Sequence, residues 1–365
     1  MFPTLGMDFL NGIKLALKRS GSHVNPKFII EGVGNAADDN VLKIAEKLIL
    51  QEDVDLTVGF CSIFRLPEII TTFNGYKKPL IHVDLGGSIL KKESTSPFVL
   101  HHTLGVCQAS YAAGMHAATT FGKKGYVAAS FYDGGYQITE SFVRGYASKG
   151  GTVENYFVSP MDYKSETFEK LLTGIEKVQP DVLFTVFSYN EGKKVFDLLA
   201  NSNLNGKIPI MAVPLMTDET INTEDHKIEN VHSVASWSFD DESHQMQDFI
   251  KEFRSSYEVD PNIMALLGFE VGLTVSECTS EEGKIEAKLC NSMRNKAIDS
   301  PRGTLTYNAM NESQVESFKL REFKFNKINY HNIVVDSLDA SFSEKLYSEF
   351  EPIPYTGWQN PYICT

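Results

Sequence analysis

Apolar, β-rich runs alternate with stretches of helical periodicity through most of the chain, and this alternation limits the fold more than any other feature. A strand, a helix and a second strand in that order form a βαβ unit, and a succession of such units builds parallel sheets. Gly6 to Arg19 reads as a first helix, with Phe9, Leu10, Ile13, Leu15, Ala16 and Leu17 on its apolar face. Lys27 to Ile30, Leu56 to Val58 and Leu80 to Val83 read as strands, separated by helices over Asn40 to Gln51 and Leu66 to Phe73. After a connecting stretch around His101 to Gly105 the rhythm restarts. Helices over Val106 to Phe121, Ile138 to Lys149, Ser165 to Val178 and Gly192 to Asn201 alternate with strands at Tyr126 to Ser130, Val153 to Val158, Val182 to Phe187 and Ile208 to Ala212. This second repeat marks a second domain, which a length of 365 residues also favours.

From Val231 onward the pattern loosens. A strand to Trp237 precedes helices over Ser243 to Tyr257, Ala265 to Cys278 and Lys284 to Asn295, and extended segments follow at Gly303 to Tyr307, Ser317 to Phe325 and Asn332 to Asp336. Such mixed pieces are expected to complete both earlier sheets, so the chain crosses between lobes more than once. It also opens on a helix where a doubly wound sheet normally places a strand, which suggests that a strand and an export signal lie upstream.

The formal net charge of -13 speaks against nucleic acid or anionic lipid as partners, because both select clustered Lys and Arg. No run reaches the roughly 18 apolar residues of a membrane span. Cys61, Cys107, Cys278, Cys290 and Cys364 form no CxxC pair and no Cys/His cluster at zinc spacing, so no metal or other cofactor is expected. Buried or unpaired thiols are the main expectation. The alternative is a Cys278–Cys290 disulfide across a short polar loop, which would require an oxidising compartment.

Enzymatic motifs are thin. Gly32-Val33-Gly34-Asn35-Ala36-Ala37 loosely matches a dinucleotide fingerprint, but Asp38 and Asp39 follow at once and would repel a phosphate, so an ordinary turn is the better reading. Neither a phosphate-binding G-x-x-x-x-G-K-[ST] loop nor a G-x-S-x-G elbow is present. His82 and Asp84, two apart at a strand end, would suit a base and its orienting carboxylate, yet no nucleophile accompanies them. His101-His102 reads as a hinge or surface pair rather than a metal site.

Loops that follow strands carry more weight, since open α/β sheets bind ligands at the carboxyl ends of their strands. Those loops are 61–64, 84–88, 133–136, 188–190 and 214–217, and they mix small, hydroxyl and aromatic residues. A pocket between two lobes built from them suits a small molecule.

At this point the residues resemble the type 1 periplasmic binding proteins, in particular the leucine/isoleucine/valine-binding branch that serves ABC transporters. Leu5-Gly6-Met7-Asp8-Phe9-Leu10-Asn11-Gly12-Ile13-Lys14-Leu15-Ala16 is similar to that family's first helix. Asp133-Gly134-Gly135-Tyr136 is similar to its Asp-x-x-Tyr, Gly150-Gly151 to its helix-to-strand turn, and Pro180-Asp181-Val182-Leu183 to its strand entry. Ser300-Pro301-Arg302-Gly303-Thr304-Leu305-Thr306-Tyr307 resembles its late Gly-Pro-x-Gly segment.

The resemblance implies an α/β fold of two Rossmann-like lobes with parallel central sheets, joined by a three-segment hinge with crossovers near Leu104, Trp237 and Phe318. Lobe 1 would span 1–104 and 238–317, and lobe 2 would span 105–237 and 318–365. A small molecule would be trapped by hinge closure. Its contacts would come from Cys61, Ser62, Asp84, Leu85, Gly86, Tyr136, Ser188, Tyr189, Pro214 and Leu215, with Phe269 as a weaker candidate.

The usual clamp for an α-amino acid is only partly matched. Asp84 stands where a hydroxyl is expected, and Asp218 and Glu219 are displaced from the place of the ammonium-binding acid. The resemblance further implies a membrane permease as partner, a periplasmic or cell-envelope lipoprotein location, and a monomer. A ligand-sensing domain of a regulatory system is the alternative on the same fold. An enzyme resting on His82 and Asp84 is the third reading.

Overall fold

The structure, a computed structural model, describes residues 4–21, 26–37, 39–162, 164–222 and 224–363. Helices α1 (Leu5–Arg19) and α2 (Asn40–Leu50) lead to strand β1 (Thr57–Phe60), helix α3 (Leu66–Tyr76), and strands β2 (Leu80–Asp84) and β3 (Val99–Thr103). The three strands pair in parallel in the order β1-β2-β3.

Two sequence expectations fail here. Lys27 to Ile30 forms no strand with any of the described residues, and Phe28 and Ile30 are exposed. Without a partner for its backbone hydrogen bonds, β propensity alone does not make a strand. Conversely, His101 and His102 lie inside β3, paired with His82 and Val83, and both imidazoles are buried rather than solvated.

The second alternation runs as expected: α4 (Val106–Thr120), β4 (Lys124–Ala129), α5 (Ile138–Ser148), β5 (Thr152–Val158), α6 (Glu169–Val178), β6 (Val182–Val186), α7 (Tyr189–Ala200), β7 (Ile210–Ala212) and β8 (Val231–Ala235). These five strands are parallel, and β6 is buried along its whole length, which is why it reads as an unbroken apolar run.

The last third comprises α8 (His244–Tyr257), α9 (Ile263–Glu277), α10 (Leu289–Met293), β9 (Ile298–Ser300), β10 (Gly303–Tyr307), β11 (Ser313–Val315), β12 (Ser317–Phe325), β13 (Tyr330–Asp339) and α11 (Ser343–Phe350). Strands β9 to β11 form a small antiparallel sheet beside β3, where Ser313 Oγ accepts from the Thr103 amide at 2.9 Å. Strands β12 and β13 extend the larger sheet to seven, in the order β13-β12-β8-β7-β6-β4-β5. Helix α10 is all that forms of the helix expected over Lys284 to Asn295; the preceding residues bridge Thr279 to Ile285 instead. Cys278 and Cys290 are free thiols, so the disulfide alternative is not realised, and Cys364 lies outside the described residues.

Two glycine-mediated contacts bring the ends of the first lobe together. A Cβ on Gly12 of α1 would stand 2.2 Å from the Ala265 carbonyl of α9, and one on Gly268 would stand 2.0 Å from the Phe9 carbonyl. Helices this close exclude side chains at the crossing, which is why glycine stands at positions 12 and 268.

The chain passes between the sheets after β3, after β8 and after β11, and a buried ion pair sits at these passages. Arg302 Nη2 and Nε donate to the two carboxylate oxygens of Glu270 at 2.6 and 2.8 Å, while its Nη1 donates to Ser236 Oγ at 2.8 Å. Ser236 Oγ in turn donates to the Leu104 carbonyl at 2.6 Å. Ser300 Oγ and His102 Nε2 complete the shell of Glu270 at 2.9 and 3.0 Å. Burial keeps His102 below the usual histidine range, so its neutral ring donates that proton.

Burial pushes the Glu270 carboxyl up, but Arg302 and His102 outweigh it and hold the group at about 2. Because the folded value lies below the ordinary 4.5, the pair's contribution is present above that pH and is lost as pH falls toward 2. Arg302→Ala strands a buried carboxylate and is expected to lower the unfolding free energy by about 3–5 kcal/mol in urea titrations. Arg254→Ala, which breaks the exposed pair with Asp260, should change it by less than about 1 kcal/mol.

Candidate functional site

The loops leaving the carboxyl ends of β1, β2, β4, β6 and β7 carry most of the expected site. After β1, the Ser62 amide donates to the Ala36 carbonyl at 2.8 Å, and Ser62 Oγ accepts from the Phe64 amide at 3.4 Å. Cys61 is buried, and burial pushes its thiol up to about 12, so it is no nucleophile at neutral pH. After β2, Asp84 Oδ1 accepts from the Gly86 amide at 2.8 Å, with Gly86 at φ +83. Burial raises the Asp84 carboxyl against the opposing pull of His82 and a Thr103 hydrogen bond. Leu85 is fully buried.

His82 does not orient toward Asp84 as a catalytic pair would require. Its Nε2 meets the Cys61 carbonyl at 3.0 Å and its Nδ1 faces His101 Nδ1 at 3.2 Å. The glycine-rich segment after residue 31 is a turn closed by the Ala36 amide on the Val33 carbonyl, and Asp39 pairs with Arg65 at 2.6 Å; Asp38 lies outside the described residues.

On the opposite side, Tyr136 is buried at the end of a short turn, Asp133–Gly135, that follows β4. The Gln137 amide donates to the Gly87 carbonyl at 2.9 Å and its Oε1 accepts from the Ile89 amide at 2.9 Å, so the β2 and β4 loops touch. Ser188, after β6, donates to Asp133 Oδ1 at 2.9 Å. Tyr189 opens α7, and its side chain lies outside the described residues. Pro214 and Leu215 follow β7, where the Pro214 carbonyl accepts from the buried Arg321 at 3.4 Å. Phe269 stands apart from these loops: it packs on Phe249 at 4.9 Å in the layer of α8 and α9. Among the described residues, no three His, Cys, Asp or Glu side chains are grouped to hold a metal ion, and no helix is long and apolar enough to cross a membrane.

Residues 2–326 match the family model described as periplasmic binding protein. The chain belongs to the periplasmic binding protein family. A search of curated proteins finds no match. Solved structures share its fold at low identity. A solute binding protein of an ABC transporter from Rhodopseudomonas palustris BisB5, in complex with 3,4-dihydroxybenzoic acid, is 20% identical with a TM-score of 0.75, covering 92% of this chain and 93% of its own. A substrate-binding protein from Sphaerobacter thermophilus is 19% identical with a TM-score of 0.80, covering 92% and 94%. The branched-chain amino acid binding protein LivJ from Streptococcus pneumoniae, in complex with isoleucine, is 16% identical with a TM-score of 0.64, covering 92% and 96%.

Two groups of this binding protein's cleft escaped the sequence reading. The first is Glu191 and its pairing with Asp133, a residue whose loop the sequence had already marked. Asp133 and Glu191 are both buried at the carboxyl edge of the seven-stranded sheet, and among the described residues neither forms an ion pair and Glu191 Oε1 has no hydrogen-bond partner. In sequence, Glu191 falls between the loop 188–190 and the helix expected from Gly192; the structure starts that helix at Tyr189 and so puts Glu191 in its first turn, where the helix dipole favours an acid. The second is residues 351–363, whose Gln359 and Asn360 reach the loops of both lobes; no periodicity marks so short a run.

Burial lifts Asp133 to about 6 and Glu191 to about 7. Raised acids stabilise the fold below their ordinary values, 3.8 and 4.5, and that contribution disappears as pH climbs through 6 and 7. Glu191→Gln removes one of them. Its unfolding free energy relative to the parent is expected to be more favourable at about pH 8 than at about pH 5, and equal differences at both would contradict the assignment.

Proposed function

We propose that this protein is the solute-binding component of an ABC import system, which takes up a small molecule between its lobes and presents it to a membrane permease without altering it. The family supports that reading, as does a site of hydroxyls, backbone amides and acids without an activated nucleophile: Cys61 is held as a thiol and His82 is spent on structural hydrogen bonds. Such a partnership places the protein in the periplasm or at the cell envelope.

The solute class follows from the charge of the cleft. The structurally similar proteins were solved with a hydroxybenzoic acid and with isoleucine. Here the cleft loops contribute Asp84, Asp133 and Glu191, none ion-paired among the described residues, and the two buried arginines are committed elsewhere. Where these acids are ionised an anionic aromatic acid would meet like charge, whereas an amino acid or small amide offers N–H donors to the buried Glu191 oxygen, which has no hydrogen-bond partner among the described residues. That unpartnered carboxylate oxygen is the observation that carries the assignment.

A thermal-shift screen with amino acids, aliphatic amides and hydroxybenzoates tests it, since a solute at 100 times its Kd stabilises the native state by about 2.7 kcal/mol. Amine- or amide-bearing solutes are expected to raise the melting temperature, and Glu191→Ala to abolish the shift. A response to hydroxybenzoates alone would overturn the solute class.

A further inference from the structure

Residues 351–363 follow α11 and lie beyond the family-matched segment. They form no helix or strand, yet Gln359, Asn360 and Ile363 are buried as deeply as core residues. Their partners are the loops of the solute site. The Leu85 amide donates to the Pro361 carbonyl at 3.1 Å, Ser62 Oγ to the Gln359 carbonyl at 3.4 Å, and Ser88 Oγ to Gln359 Oε1 at 2.6 Å. Across the cleft, the Asn360 amide donates to the Tyr136 hydroxyl at 3.2 Å, and Gln359 Nε2 donates to the Gly135 carbonyl. One side chain, Gln359, thus joins the loop after β2 to the loop after β4.

The approach leaves no room for a layer of solute atoms. A Cβ on Gly135 would stand 2.3 Å from the Trp358 carbonyl oxygen, and one on Gly357, at φ +71, would stand 2.6 Å from the Gly135 Cα. Rings anchor the segment at its flanks, with Tyr362 5.1 Å from Phe60 and Tyr355 6.3 Å from Phe64. Pro352, Pro354 and Pro361 restrict the free chain and so reduce the entropy lost on docking. Its backbone carbonyls and amides occupy the serine, tyrosine and main-chain groups that a small polar solute would need.

We propose that this C-terminal strap is a tethered occupant of the cleft: it holds the lobes together when no solute is bound, and a solute enters by displacing it. The proposal rests on the reading of the cleft as a solute site. A tether of this kind competes at a millimolar effective concentration, and the apparent solute affinity falls by the fraction of molecules with the cleft free.

The test uses the full chain with a protease site inserted after Glu351, folded intact and then cut. Hydrogen exchange at the Leu85 amide reads strap occupancy. After cutting and dialysis that amide is expected to exchange about tenfold faster or more, and a synthetic peptide of residues 352–365 to restore protection. Uncut Gly357→Val, which forces a side chain against Gly135, should show the same loss of protection.

Isoleucine, isoleucinamide and benzoate serve as solute probes. A probe that stabilises the intact protein is expected to bind about tenfold tighter or more once the strap is gone, and to release the peptide. Unchanged Leu85 exchange after cutting overturns the strap's occupancy, and weaker probe binding after cutting shows it to be a wall of the site, which also overturns the proposal. If the peptide restores protection but no probe releases it, solute displacement fails through the solute reading of the cleft, while the strap remains its occupant.

Discussion

The Glu270–Arg302 pair is the interaction on which the rest of the architecture depends. It lies where all three passages between the sheets converge, and its oxygens and nitrogens are shared with His102 at the end of β3, Ser300 at the end of β9, and Ser236 at the end of β8. In a site from which water is excluded, an unpaired member is so unfavourable that every element supplying a partner is held in register. The loops at the strand ends inherit their relative positions from this junction. Arg321 has a parallel role in the larger sheet, tying Ser233, Trp237, Pro214 and Thr217 together through one buried guanidinium.

With the loops fixed, the chemistry of the cleft is divided by side. The three-stranded sheet presents Ser62, Ser88 and the turn at Asp84, while the larger sheet presents Tyr136, Ser188 and the acids Asp133 and Glu191. Groups of this kind recognise through hydrogen bonds. The strap uses the same hydroxyls and amides, so occupancy of the cleft and the closeness of the lobes are one physical matter rather than two.

The alternation of apolar strands and amphipathic helices was legible wherever a strand is buried on both faces, as in β4 and β6. It failed where pairing rather than composition decides: Lys27 to Ile30 has apolar residues but no partner strand among the described residues, and β3 contains two histidines whose ring nitrogens find buried partners. Helix α10 is short because its expected first turns are spent on the bridge to Thr279. The loops expected to carry the site do follow strands, because strand ends are predictable. Phe269 falls in the helix layer instead, since one apolar residue in an apolar helix carries no mark of which face it takes.

Local physics therefore determined much from the sequence alone: the βαβ rhythm, the two lobes, the family resemblance in its spaced glycines and prolines, and the strand-end loops. Each of these is written in neighbouring residues, through the two- and 3.6-residue periods and the backbone freedom of particular residues. Only the tertiary structure decided that Glu270 meets Arg302, that Glu191 is buried beside Asp133, and that Gln359 lies between loops far away in the chain. Those contacts join residues from tens to hundreds of positions apart, and their desolvation, which sets both charge state and strength, exists only once the chain has closed around them.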